Sequence, residues 1–448
     1  MAIDATLDHR FADAMAGFSP YEPNAEIAIA LSGGGDSVAL LHLTNHWARN
    51  RDVRIRAVTV DHGLRMGSAS EAQTVAGWAD DLGVPHTILQ WEGGKPTAGV
   101  MAAARDARYR LMDRWCGAEG VLHLLVGHTL DDQAETHLMR KNHASAADGL
   151  AAMSQILELS QSRLIRPLLK TTRAELRTYL NRTGITWIED PSNFNVAFER
   201  ISTRNHIVSE NLDLHELSEI ASKKGENRVI QNREIVEALV DTVEISSLGS
   251  AVIKLDNLAS YPPRLTGRVV SRVLTVVGGG QYAPATAKVN SLLAQLHKSK
   301  DKETQTVSLG GCSIIRHKNH LQVLRERRNL PNPQVVAPLA QIHWDNRFKM
   351  TFGQGLERAV GNAQVSSFAD ADWGPLKKAT DVSWLGRRAY DTCKSLPVIR
   401  DEQGLFAIPH MHYERQKTVA GEENASDIVS FLSFCPLNSL SGNGFSVA

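Results

Sequence analysis

The chain has 448 residues, 42% of them hydrophobic and 22% charged, and its 49 Lys and Arg balance 49 Asp and Glu. That composition predicts a globular protein of about three domains and excludes a membrane-spanning one, since no apolar run approaches the ~18 residues a span requires. Cys116, Cys312, Cys393 and Cys435 are too widely spaced for a Cys-x-x-Cys zinc, iron–sulfur or redox motif, and Met1–Arg10, with no apolar core, reads as neither signal nor transit peptide, so a cytoplasmic location is expected.

Ile27-Ala28-Ile29-Ala30-Leu31 is an uncharged apolar run that predicts a buried parallel strand, and Val38–Trp47 predicts the helix that follows it. Between them stand Ser32, Gly33, Gly34, Gly35, Asp36 and Ser37. Three glycines permit a sharp turn and a close backbone approach to a ligand, while the free N–H groups of the helix start point at the same spot. This is a phosphate cradle, too short for a Walker loop and without its lysine. Val53–Val60 predicts the second strand, which delivers Asp61 and His62 to the ligand edge of the sheet. A helix over 71–82, a strand over 84–91 and a helix over 98–115 follow, the last carrying Arg105 and Arg108. Val121–Val126 reads as a central strand leading to His128, Asp132 and Glu135. The two carboxylates share one face at the positive end of the next helix. They are dipole partners, ligands for Mg²⁺ shared with phosphate oxygens, or partners of a substrate ammonium group.

Beyond Arg204-Asn205 polar helices run to Leu248, and helices over 264–277 and 287–297 continue a middle domain. From Gln305 the period becomes two: 305–316 and 321–325 bracket a polar turn at Lys318-Asn319-His320, a hairpin. Leu330-Pro331-Asn332-Pro333 marks a boundary. The expected fold is α/β: a doubly wound parallel-sheet domain (1–210), a mainly helical middle domain ending in the hairpin (211–330) and a small mixed α+β C-terminal domain (331–448). Basic residues gather at Arg163, Arg166, Lys170 and Arg173, at Arg316, His317 and Lys318, at Arg325, Arg327 and Arg328, and at Arg387 and Arg388. Such runs are solvated faces or, toward a polyanion, phosphate contacts.

Ser32–Ser37 at a strand-to-helix junction resembles the signature of the PP-loop ATP pyrophosphatases, which cut ATP to AMP and pyrophosphate. Val60–Arg65, Ala104–Arg110, Gly127–Thr136, Asp148–Leu150, Arg166–Leu169 and Trp187–Asn193 follow in order. Together they resemble the tRNA(Ile)-lysidine synthase family. The resemblance implies that ATP adenylates the wobble cytidine of the tRNA(Ile) CAU anticodon and that L-lysine then displaces AMP. It implies ATP and Mg²⁺ as cofactors, with Ser32, Gly33, Gly34, Gly35, Asp36, Ser37, Asp61 and His62 at the nucleotide and Asp36 on the metal. Asp132, Glu135, Arg108 and His128 would join Asp36 in catalysis, and residues 331–448 would bind tRNA. The oligomeric state is left open, a homodimer being one option. Lys141–Ala146 departs from the family, which has an Arg-Gly-Ser-Gly turn there. A tRNA thiolase, another PP-loop adenylating ligase and a non-catalytic ATP-gated RNA-binding protein are the alternatives. None of the cysteines lies near a site motif, as thiolation usually requires.

Overall fold

The structure, a computed structural model, describes residues 4–64, 67–96, 98–143, 148–189, 199–298, 305–356, 361–415, 428–442 and 444–447. Arg65, Ala144–Ala146 and Asp190–Asn193, parts of three quoted motifs, lie outside the described residues. The chain forms two compact units, one of residues 1–231 with 443–448 and the other of residues 232–442.

In the first unit, strands β1 (Ala25–Ala30), β2 (Val53–Asp61), β3 (His86–Gln90), β4 (His123–Leu125), β5 (Ile156–Glu158) and β6 (Arg163–Ile165) form one sheet in the order β3-β2-β1-β4-β6-β5. All neighbours are parallel except β5, which runs antiparallel to β6. Helices α1 (Asp4–Ala16), α2 (Gly35–Ala48), α3 (Ser68–Asp81), α4 (Val100–Glu119), α5 (Leu130–Asn142), α6 (Arg173–Thr183) and α7 (Glu199–Ser209) surround it. The apolar β1 run is explained by its two faces. Ile27 and Ile29 enter a core with Val38, Leu41, Trp47 and Leu180, while Ala28 between them enters another with Val58, Met112, Trp115 and Leu124. A strand buried on both sides has no place for a polar alternate. The strand order reverses between β1 and β4, and in open sheets of this kind the crevice beyond the carboxyl ends at that reversal holds the ligand.

The unit boundary falls inside α8 (Leu214–Thr242), between Gln231 and Asn232. In the second unit β7 (Val243–Ile245), β8 (Ala251–Lys254), β9 (Gln305–Leu309), β10 (Cys312–Arg316) and β11 (His320–Arg325) form an antiparallel sheet in the order β7-β8-β11-β10-β9. Between β8 and β9 come α9 (Leu255–Ala259), α10 (Pro263–Gly278) and α11 (Thr286–Lys298), and Val269, Val273 and Leu292 share a core with Ile253 and Ile314. Two sequence expectations change here. The helices expected to reach Leu248 give way to β7 at Val243, and the arm over 305–316 is two strands. Gly310 and Gly311, at φ +63° and +75°, turn the chain between β9 and β10, so the hairpin is part of a three-stranded meander.

The rest of the unit holds a sheet of β12 (Gln334–Val335), β15 (Gln364–Ser367), β16 (Pro397–Asp401), β17 (Gly404–Ile408) and β18 (Tyr413–Glu414). A smaller sheet of β13 (Gln341–Trp344), β14 (Phe348–Phe352) and β19 (Val429–Phe434) shares one core with it. The β13–β14 turn carries Asp345, whose carboxylate accepts hydrogen bonds from Arg325 Nε and Nη2, both at 3.0 Å, and from Arg347 Nε at 2.7 Å. All three residues are buried. Arg325 is therefore an internal partner and not part of a solvated basic face.

Candidate active site

The cradle forms where β1 ends. Gly33 takes φ +85°, a left-handed conformation that an L side chain resists, and a Cβ there would lie 2.8 Å from Val75 Cγ2. Ser37 Oγ accepts from the Ser32 N–H at 3.1 Å and donates to the Gly34 carbonyl at 2.8 Å, which closes the loop on the first turn of α2. The Ile188 N–H donates to the Gly33 carbonyl at 2.9 Å, so the Trp187–Glu189 stretch supports the same turn. Across the strand reversal, a Cβ on Gly127 would lie 3.0 Å from the Asp36 carbonyl carbon and oxygen. Glycine at 127 lets β4 bring His128 this close to the cradle.

Beyond Gly127, α5 opens with a capping box. Thr129 Oγ1 accepts from the Asp132 N–H, and Asp132 Oδ2 accepts from Thr129 N at 2.9 Å and Thr129 Oγ1 at 3.0 Å. Asp132 is thus a helix cap with one oxygen, and its other oxygen serves the site. Arg173, the first residue of α6, donates from Nη2 to Asp132 Oδ1 at 2.5 Å, from Nη1 to Glu135 Oε1 at 2.7 Å and from Nε to Asp36 Oδ2 at 3.4 Å. Its main-chain N–H donates to Asp131 Oδ2 at 2.8 Å. Arg204 Nε, on α7, adds a bond to Glu135 Oε1 at 2.9 Å, and Arg200 Nε lies 3.3 Å from Glu135 Oε2. One guanidinium therefore joins the cradle carboxylate to the α5 pair.

Charge follows from this geometry. Burial raises the Asp36 carboxyl to about 6, with Asp132 and Asp131 adding to the rise, while Arg173 opposes it without overcoming it. Asp36 is the carboxylate farthest from the shared guanidinium. Burial also works against a charged Asp132, but Arg173, Arg200 and the Thr129 N–H outweigh it, so this carboxyl titrates below its ordinary range. The same carboxylates hold Arg173 firmly protonated against its own burial. Glu135 is 1% exposed, and its Oε2 is buried without a hydrogen-bond donor.

His128 receives a bond to Nδ1 from Arg166 Nε at 3.1 Å, which places its proton on Nε2. Burial, and after it Arg166, Arg105 and Arg108, hold the ring neutral despite Asp132. Arg108 also acts on His62, which is lowered first by burial and then by Arg108. Asp61 Oδ1 accepts from the Gly63 N–H at 2.9 Å and so fixes the turn after β2. The structure therefore brings together Asp36, Asp132, Glu135 and His128, with Arg108 acting on both His128 and His62.

Sequence reasoning places Arg166 and Arg173 in a basic surface run. Arg166 is instead 6% exposed and Arg173 lies among carboxylates. A signal was present, since a cation at the first position of a helix opposes the macrodipole. Arg200 and Arg204 carried no such mark. Among the described residues no three His, Cys, Asp or Glu are grouped to hold a metal ion. A cavity of about 300 Å³ lined by Asp148, Lys224, Asn227, Arg228 and Gln231 includes none of these site residues.

A profile of the PP-loop domain matches residues 5–211. A tRNA(Ile)-lysidine synthase of Wolbachia sp. subsp. Brugia malayi is 32% identical over 433 residues, covering 93% of this chain and 95% of its own. The chain belongs to the tRNA(Ile)-lysidine synthase family. Synthases of the same name from Ruegeria pomeroyi, 33% identical over 78% of this chain and 83% of that one, and from Brucella suis, 36% identical over 72% and 73%, agree with that membership. Lysidine synthases are ATP-using ligases with a PP-loop domain, so cradle and carboxylates belong to one enzyme. Among the described residues no helix is long and apolar enough to cross a membrane.

Proposed function

We propose that this protein joins free L-lysine to the wobble cytidine of tRNA(Ile) bearing a CAU anticodon, through an adenylated tRNA, with release of AMP and pyrophosphate. The observation that carries the lysine half is Glu135 Oε2, a buried carboxylate oxygen without a donor beside the nucleotide cradle. Arg200 Nε lies 3.3 Å from it as an ion pair without hydrogen-bond geometry, which leaves the acceptor open to a donating ammonium group. In this reading the cradle N–H groups and the Ser32 and Ser37 hydroxyls hold the departing pyrophosphate, with Asp61 and His62 at the nucleotide's edge. Glu135 and Asp132 bind the ε-ammonium, and Glu135 takes the proton that the amine must lose before it attacks. Arg108 and neutral His128 face the phosphate and the adenylated base as donors.

Mg²⁺ fits the residues present. Asp36, with its raised carboxyl, stands at the cradle, and this ion is commonly held by one or two carboxylates together with substrate phosphates. When bound, it would neutralise charge on the pyrophosphate. Residues 331–448 contribute to tRNA capture. Lys377 and Lys378 project exposed from the helix over Trp373–Ala379, and Arg328 is exposed just before β12.

The test is product analysis with tRNA(Ile), lysine and ATP. AMP and pyrophosphate are expected, and Asp36→Ala should abolish their release while the protein stays folded. ADP as the product, or full activity in that variant, overturns the reading.

A further inference from the structure

β5 is the edge strand of the first sheet, and an edge exposes unpaired main-chain groups. Just before it the edge is covered by residues 444–447, which belong to the same unit although they follow the whole second unit in the chain. The Gln155 N–H donates to the Ser446 carbonyl at 2.9 Å, and the Ser446 N–H donates to Ser154 Oγ at 2.8 Å. Ser154 Oγ donates in turn to the Ser446 carbonyl at 3.2 Å. Phe445 anchors the segment. Arg228 stacks over its ring at 4.5 Å, and Gly225 leaves the space it fills, since a Cβ there would lie 2.8 Å from Phe445 Cε1.

On its other side the 154–155 peptide meets Arg166. The Arg166 N–H donates to the Gln155 carbonyl at 2.9 Å, and Arg166 Nη1 donates to the Ser154 carbonyl at 2.5 Å. The same guanidinium donates from Nε to His128 Nδ1 at 3.1 Å. Ser446, Ser154, Arg166 and His128 therefore form one continuous hydrogen-bonded chain. A guanidinium held at two of its nitrogens is fixed in plane and direction, and it fixes the imidazole it meets. Left free of Ser446, the 154–155 edge would lose its outer partners and could pair with water in other geometries.

We propose that residues 444–447 are a positioning strap that holds Arg166 through Ser154 and thereby fixes the ring orientation and tautomer of His128. The catalytic consequence rests on the reading of His128 as a site residue; the structural link does not. Three substitutions separate strap from cover. Ser446→Pro removes the N–H that meets Ser154 Oγ, Phe445→Ala removes the anchor, and Ser446→Ala keeps both main-chain bonds.

Full-length protein labelled with ¹⁵N on histidine, with His128→Gln to assign the signal, reports the tautomer directly. Ser446→Pro and Phe445→Ala are expected to turn a single Nε2–H form into a mixture and to lower kcat for lysine transfer roughly tenfold at unchanged KM for ATP. Ser446→Ala should match the unaltered protein in both readouts. If Ser446→Pro and Phe445→Ala, both folded, keep the tautomer and kcat of the unaltered protein, the segment only covers an edge, whatever happens to the melting temperature, and the proposal is overturned. A tautomer that shifts without a change in kcat supports the strap and removes His128 from the catalytic set instead.

Discussion

Arg173 decides how three buried or half-buried carboxylates coexist. Removing it with Arg173→Met leaves Asp132 and Glu135 with only the more distant or partial help of Arg200 and Arg204. An uncompensated buried charge costs about 3–5 kcal/mol, so chemical denaturation should show a loss approaching that size, with lysine transfer falling at least a hundredfold. Arg173→Lys restores charge without the fork and should recover stability better than rate. Equal rates in the Met variant would remove Arg173 from the site. Asp132→Asn and Glu135→Gln should each weaken lysine binding by roughly 1.5–3 kcal/mol in calorimetry while ATP binding stays near normal. Normal lysine affinity in both would reject their assignment. A second residue-scale test concerns stability. Burial, then Arg347, pushes His410 down to about 4, and neither ring nitrogen has a partner. The unfolded chain binds this proton near pH 6.5, so stability is intact above that value and falls as pH drops toward 4. The loss between pH 6.5 and 5 is about 2 kcal/mol. Paired unfolding curves should show it in the unaltered protein and not in His410→Leu; parallel pH profiles would contradict the assignment.

At the scale of elements, α2, α5 and α6 converge because each begins at the reversal of strand order or just across from it. Their first turns carry Asp36, Asp132 and Arg173. The β1 strand, the cradle and the α5 carboxylates were legible because each depends on local chemistry: an apolar run, glycines, and acids at a helix start. The Arg173 pairing was not, since its bond to the cradle joins residues more than a hundred positions apart through tertiary packing, and a charge run looks alike whether solvated or paired. The 305–316 arm reads as one strand for a simpler reason. Alternation continues through Gly310-Gly311 with no polar break, so only the positive φ of both glycines reveals the turn. Arg325 follows the same rule as Arg173, and Asp345→Asn provides its test. Loss of the carboxylate leaves two buried guanidiniums without their anion, and unfolding should cost about 3 kcal/mol less. An unchanged midpoint would show that Asp345 is not their counter-ion.

For the molecule as a whole, zero formal net charge means that tRNA must be met by local patches, and many of the basic groups apparent in sequence are already committed. Arg163 bonds His123, Arg316 bonds the Leu296 carbonyl, Arg327 bonds Asp370 and Arg388 bonds Asp391. Exposed Lys377 and Lys378 remain available for phosphate. Replacing both with Gln should flatten the slope of log affinity against log salt by about 1.4–1.8 without altering ATP binding. An unchanged slope would place capture elsewhere. Lysine transfer itself is tested by following radiolabelled lysine and ATP together with tRNA(Ile). Lysine should be covalently retained on the tRNA with one AMP and one pyrophosphate per lysine, and Asp36→Ala should transfer none; label absent from the tRNA while ATP is consumed, or transfer with ADP as the product, would rule out lysidine formation by this route.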